Sequence, residues 1–216
     1  MSRGGKEGAL VELLARNPHE KKMVFVHHRE TLERVAHLLE AEGVPFARFD
    51  GTMSGPEKDR AVGRFRDEVP VLVCTESGGE GRNLQFCNTL VNFDLPWNPM
   101  QIEQRIGRLH RIGQTREVFV FNIALRGTIE EYVLRILDEK INMFELVVGE
   151  IGAILGEMDD SEEFAGRVFA AWVETSDDGR ASAFERLGDE LVAARRQYEG
   201  IKALDDELFG DEFTTE

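Results

Sequence analysis

Through its first 150 residues the chain repeats one pattern, a short and almost wholly apolar run followed by a stretch whose apolar residues recur at helical spacing. The runs at 23–26, 46–49, 69–74, 89–93 and 118–125 are of strand length and rich in Val, Phe, Leu and Ile. A strand apolar on both faces must be covered on both faces, which points to a parallel sheet between helices. The helices are legible between the strands. Leu32, Val35, Ala36 and Leu39 form one stripe, and Gly43 stops it. Ser54-Gly55-Pro56-Glu57 has the form of a capping box with Pro in the first turn, and Ala61, Val62 and Phe65 supply the stripe behind it. A further helix is expected over residues 99–109. Thr128-Ile129-Glu130-Glu131 opens a long one, with Ile129, Tyr132, Val133, Ile136 and Leu137 on one face. The expected fold class is therefore α/β, with helices on both faces of a parallel sheet. Ligands in such folds sit outside the carboxyl ends of the strands, here the loops 27–30, 75–83 and 94–99.

After residue 150 the strand pattern ends. Phe164, Val168, Phe169, Trp172 and Val173 suit one amphipathic helix. Phe184, Leu187, Leu191, Ala194, Tyr198 and Ile201 suit a second, with a seam close to a heptad. Charge divides at the same place. Residues 151–216 hold 18 acidic and 6 basic side chains, −12, whereas residues 1–150 hold 23 and 20, −3. The total of −15 therefore leaves room for an anion-binding face on the first part. Two domains are expected, an α/β lobe over 1–150 and an acidic helical extension over 151–216 with a mobile end. Cys74 and Cys87 lie in or beside apolar runs without metal-ligand spacing, as buried thiols in a reducing compartment would. No apolar segment follows the first six residues, so a cytoplasmic protein without a secretory signal is expected.

The chemistry concentrates in Gln104-Arg105-Ile106-Gly107-Arg108-Leu109-His110-Arg111-Ile112-Gly113-Gln114. Arg108 and Arg111 are three apart and share one face if the stretch is helical. Two fixed guanidiniums suit the charge that develops on a transferring phosphoryl group. Taken alone, the pair also fits a solvated basic helix end. Thr75-Glu76-Ser77-Gly78-Gly79-Glu80-Gly81-Arg82-Asn83 follows a strand, with glycines that permit close backbone approach and hydroxyls that can bond a phosphate. His28 and Arg29 stand where a strand gives way to a helix start, a usual place for an anion.

Together these segments resemble the second RecA-like lobe, or helicase C-terminal domain, of Swi/Snf-type superfamily 2 DNA translocases. The arginine string is similar to motif VI of the bacterial RapA-like branch. Thr75 to Leu84 resembles motif V, Val24 to Glu30 resembles motif IV, and Phe93-Asp94-Leu95-Pro96-Trp97-Asn98-Pro99 resembles the segment that precedes motif VI. The resemblance covers roughly residues 10–150 and implies a three-layer RecA-like sheet. It implies that Arg108 and Arg111 reach ATP bound by another lobe. Gly81, Asn83, Gln104, Arg105 and Gln114 would lie at the nucleotide or lobe interface. His28, Arg29, Lys58, Thr75 and Ser77 would contact the DNA backbone. Lys58 stands where the family often has Arg, which keeps the charge and loses the fork.

No Gly-x-x-x-x-Gly-Lys-Ser/Thr and no Asp-Glu-x-His string follows a strand anywhere in the chain. ATP and Mg²⁺ would then be held mainly by a first RecA-like lobe of the same polypeptide, with no ligand tightly bound to this chain and no metal site in it. The chain alone is expected to be inactive. The expected partners are that first lobe, the backbone of double-stranded DNA, and through residues 151–216 a protein. The alternatives are a non-catalytic module that binds a protein through its acidic helices, and a lobe of an RNA-directed or strand-separating helicase.

Overall fold

A computed structural model describes residues 5–76, 84–110, 116–140, 142–143, 150–156, 161–174 and 176–209. The chain divides into two compact units, one of residues 1–96 and 101–128, the other of 97–100 and 129–216.

The first unit is a five-stranded sheet. Its strands are β1 (Lys22–Phe25), β2 (Phe46–Phe49), β3 (Val71–Cys74), β4 (Thr89–Asn92) and β5 (Phe119–Asn122). They lie in the order β2-β3-β1-β4-β5, and every pairing is parallel. The expected runs are all strands, and the ends differ by a few residues. Alternate side chains build two cores. Met23, Phe25, Phe49, Leu72 and Leu90 face Ala61, Val62 and Phe65 of α3 (Gly55–Asp67) and Leu109 of α4 (Pro99–Leu109). Val24, Val26, Val73, Val91 and Phe93 face Leu10 and Leu14 of α1 (Gly5–Arg16) and Leu32, Val35 and Leu39 of α2 (Arg29–Ala41). This is the three-layer arrangement expected.

Local rules hold at the helix ends. Ser54 and Glu57 form the expected capping box, the Ser54 amide donating to Glu57 at 2.8 Å. Gly43, just past α2, has φ +67, a value that costs a residue with a Cβ. Helix α1 was not anticipated. Leu10 and Leu14 are buried in it, and Val11 and Leu13 pack partly buried against the same core.

The second unit is helical: α5 (Ile129–Arg135) continuing into a π-helical turn (Ile136–Lys140), α6 (Glu150–Gly156), α7 (Ser161–Trp172) and α8 (Asp177–Phe209). The long helix expected to open at Thr128 is thus not a continuous α-helix. It widens at Ile136, and Asn142 takes φ +44. The π turn still buries Ile136 and Leu137, and Lys140 from it pairs with Glu185 and Asp189 of α8. Phe164, Val168, Phe184, Leu187, Leu191 and Ala194 are buried as their spacing implies. Phe169, Val173 and Ile201, assigned to the same stripes, are about half exposed. Helix α8 runs through Phe209. Arg180 closes the α7–α8 turn, donating to the carbonyls of Trp172 (3.0 Å) and Glu174 (3.3 Å) and stacking 4.7 Å above the Trp172 ring. No helix among the described residues is long and apolar enough to cross a membrane.

Candidate functional site

The parallel register sets Phe49, Cys74, Phe25 and Asn92 side by side, so the chain leaves four adjacent strands at one edge. The site residues expected from sequence and described here gather along that edge in two groups.

The first group runs across the ends of β1, β3 and β2. His28 is the N-cap of α2, with extended backbone and no side-chain hydrogen bond to the helix, and its ring meets that of His27 edge-on at 4.4 Å. The first-turn amides of α2 therefore lack the usual side-chain acceptor, a state that favours an anion. Arg29 is exposed, with the Glu33 carboxylate 4.0 Å away. That carboxylate is held by the Arg48 fork at 2.9 and 2.5 Å, and Arg48 lowers its pKa from the ordinary value. Thr75, at the end of β3, donates its amide to the Phe49 carbonyl at 3.2 Å. Lys58, in the first turn of α3, places its ammonium 5.5 Å from the Phe49 ring centre. At about 4.8 Å between strands, β1 to β2 across β3 is roughly 10 Å of edge. Asp50 opens the turn after β2, its carboxylate accepting from the Thr52 amide at 2.8 Å and the Thr52 hydroxyl at 2.5 Å.

The second group belongs to α4. Arg105 is fully buried. Its guanidinium donates to Asn92 Oδ1 at 2.6 Å, to the Asp94 carbonyl at 2.9 Å and through two nitrogens to the Glu76 carboxylate, and it lies 5.0 Å above the Phe25 ring. Asn92 in turn donates to Asn122 on β5 at 2.8 Å. A guanidinium bonded in this way fastens α4 to the sheet. Arg108, one turn on, is half-buried. One nitrogen donates to the Glu76 carbonyl at 3.0 Å, and its Nε is a buried donor with no partner among the described residues. Gln104 is exposed on the same helix. Ser77, Gly81, Asn83, Arg111 and Gln114 lie outside the described residues.

Sequence reasoning passed over four residues that organise this edge: Lys6, Glu76, Asn92 and Asp94. Each is polar at or next to a strand end, or in the first turn of a helix that reaches one, a signal too common to single out. Among the described residues no three His, Cys, Asp or Glu side chains converge as a cation site requires.

Comparison with known proteins bears on this geometry. The helicase conserved C-terminal domain family matches residues 5–113. The chain is 47% identical over 136 residues to the uncharacterized ATP-dependent helicase YqhH of Bacillus subtilis, an overlap of 63% of this chain and 24% of that protein. It is 44% identical over 140 residues to the RNA polymerase-associated protein RapA of Proteus mirabilis, 63% of this chain and 14% of that one. The chain thus spans about a quarter and a seventh of these relatives. Among solved structures, the C-terminal part of the Fun30 ATPase domain superposes with a TM-score of 0.58 at 24% identity, over 78% of this chain and 55% of that one.

Proposed function

The chain belongs to the helicase conserved C-terminal domain family, and from that membership we propose that it is a RecA-like lobe of the Swi/Snf type, the second motor lobe of an ATP-dependent translocase on double-stranded DNA. In this reading residues 1–150 are the lobe. Arg108, with Arg111, meets the γ-phosphoryl of ATP bound by a first lobe, and Gly81, Asn83, Gln104 and Gln114 line the nucleotide or lobe interface. His28, Arg29, Lys58, Thr75 and Ser77 take DNA phosphates, contacts that position without reading sequence.

The observation that carries the reading is the state of Arg108. A backbone carbonyl holds one of its nitrogens, and its Nε donor is buried with no partner among the described residues. A permanently charged fork fixed in this way suits an incoming anion, because little is left to reorganise when charge develops. Mg²⁺ would neutralise the same phosphates and, in this reading, is held with ATP by the first lobe, so the chain by itself would not turn over ATP. The RNA polymerase association named for the RapA relative suggests a protein partner for residues 151–216, where exposed Ile201 and Leu204 leave an apolar strip on α8.

The test is ATP turnover in the full-length protein with and without duplex DNA. Arg108→Ala is expected to lower DNA-stimulated turnover by about 10³-fold or more, the scale of an arginine finger, while DNA affinity changes little. Arg108→Lys should rescue poorly. A folded Arg108→Ala protein that hydrolyses ATP at the wild-type rate overturns the assignment.

A further inference from the structure

Asp94, the second residue after β4, is bonded to three separate parts of the first unit. Its carboxylate accepts the His27 amide at 3.0 Å, in the loop that continues into His28 and Arg29. Lys6 of α1 lies 3.7 Å from the other carboxylate oxygen, and both side chains are mostly covered, 13% and 19% exposed. Lys6 also donates to the neighbouring Phe93 carbonyl at 2.9 Å. The Asp94 carbonyl accepts from Arg105 of α4 at 2.9 Å. The far arm of Arg105 holds Glu76, whose own carbonyl holds Arg108 at 3.0 Å.

We propose that Asp94 is a positioning residue that holds the loop after β1 and the arginine-bearing helix α4 in one arrangement, so that ATP turnover depends on what that loop binds. This rests on the function proposed above. An unbroken series of hydrogen bonds runs from the loop through His27, Asp94, Arg105 and Glu76 to Arg108. The link at His27 is exposed, while those through Arg105 and Glu76 to Arg108 are partly buried and involve charged groups, where such bonds are stronger and less readily replaced by water. Without the Asp94 carboxylate, the His27 amide loses this acceptor and Lys6 loses one ionic contact. The loop is then free of the sheet at the point where it enters α2. The carbonyl bond to Arg105 survives any substitution at this position, so a side-chain change separates the loop from α4 without removing the anchor of α4.

A connected series alone does not establish coupling, and energies do. The measurement is therefore ATP turnover by the full-length protein as a function of duplex DNA concentration, for wild type, Asp94→Ala, Asp94→Asn, Lys6→Met and the Asp94→Ala/Lys6→Met pair. Asp94→Ala is expected to raise the DNA concentration for half-maximal stimulation by about fivefold or more, within the range of coupled neighbours, and to lower the ratio of stimulated to unstimulated turnover. Asp94→Asn keeps an oxygen to accept from His27 and should recover a large part of both. Lys6→Met should show a smaller shift, and combining it with Asp94→Ala should add little. A role in stability alone would depress turnover with and without DNA by one common factor. That outcome overturns the proposal, as does a folded Asp94→Ala protein with wild-type half-stimulation. Should Asp94→Ala fail to fold, Asp94→Asn and Lys6→Met decide alone: wild-type behaviour in both overturns it. Arg108→Ala in the same assay separates the two levels. If it remains active the motor-lobe reading fails. If it is inactive while Asp94→Ala is stimulated normally, only the positioning role fails.

Discussion

Two residues of the same edge show how environment, and not residue type, decides a role. Arg105 and Arg108 read alike in the sequence, three apart on one helix. Yet one is buried under the strand ends and bonded to Asn92, Asp94 and Glu76, and the other keeps a buried Nε without a partner among the described residues. The difference was illegible because the groups that claim Arg105 come from residues 76, 92 and 94, brought together only by strand order. Asp50 is the clearest titrating case. Burial opposes its ionised form, but the Thr52 hydroxyl and amide and the nearby Arg48 outweigh burial and hold the carboxyl below its ordinary 3.8. A depressed folded pKa stabilises above the unfolded value, and that contribution is lost as pH falls through the folded one. Asp50→Asn should therefore flatten the acid side of the stability profile below about pH 4, where an unperturbed Asp titrates. Urea midpoints from pH 6 down to pH 2 measure it, and parallel wild-type and mutant curves would contradict it.

Single elements were the most legible scale. Strands appeared where apolar runs stood, and α3 begins at the box written in Ser54-Gly55-Pro56-Glu57. Ser54→Ala removes the side-chain half of that box and should cost about 1 kcal/mol, the usual worth of an N-cap. The loss should be seen as a shift in the denaturant midpoint with unchanged slope. What failed to show has physical causes. Helix α1 is short, and its core-facing Leu10, Val11, Leu13 and Leu14 cluster within two turns, too brief a stretch to repeat a helical period, so its stability comes from docking on the sheet. The π turn at Ile136–Lys140 continues the apolar periodicity of α5, and one extra residue per turn is not a pattern that spacing reveals. In α8 the heptad-like seam is buried as far as Ala194, and Ile201 farther along it is 53% exposed. Spacing marks which face is apolar and says nothing about where the neighbouring helix ends.

For the whole molecule, the uneven charge sets the conditions under which nucleic acid can be held. With −12 in residues 151–216 and near balance before them, the chain should bind duplex DNA weakly and with a steep loss of affinity as salt rises. Neutralising exposed Glu174, Asp177, Asp178 and Glu199 to their amides should strengthen binding at low salt. The gain should vanish near 0.5 M, where the screening length is only about 3–5 Å. Fluorescence anisotropy on unrelated duplexes at several salt concentrations tests both statements, and a marked preference for one sequence would argue against backbone contacts. Cys74 and Cys87 are both fully buried, and burial pushes the Cys87 thiol up to about 11 and Cys74 higher still. Near neutral pH neither offers the thiolate that attacks a maleimide. A cysteine introduced at an exposed position such as Arg126 would therefore be the only one in the folded chain to take up a dye. The motion of this lobe against a labelled partner can then be followed by energy transfer with both native thiols left in place.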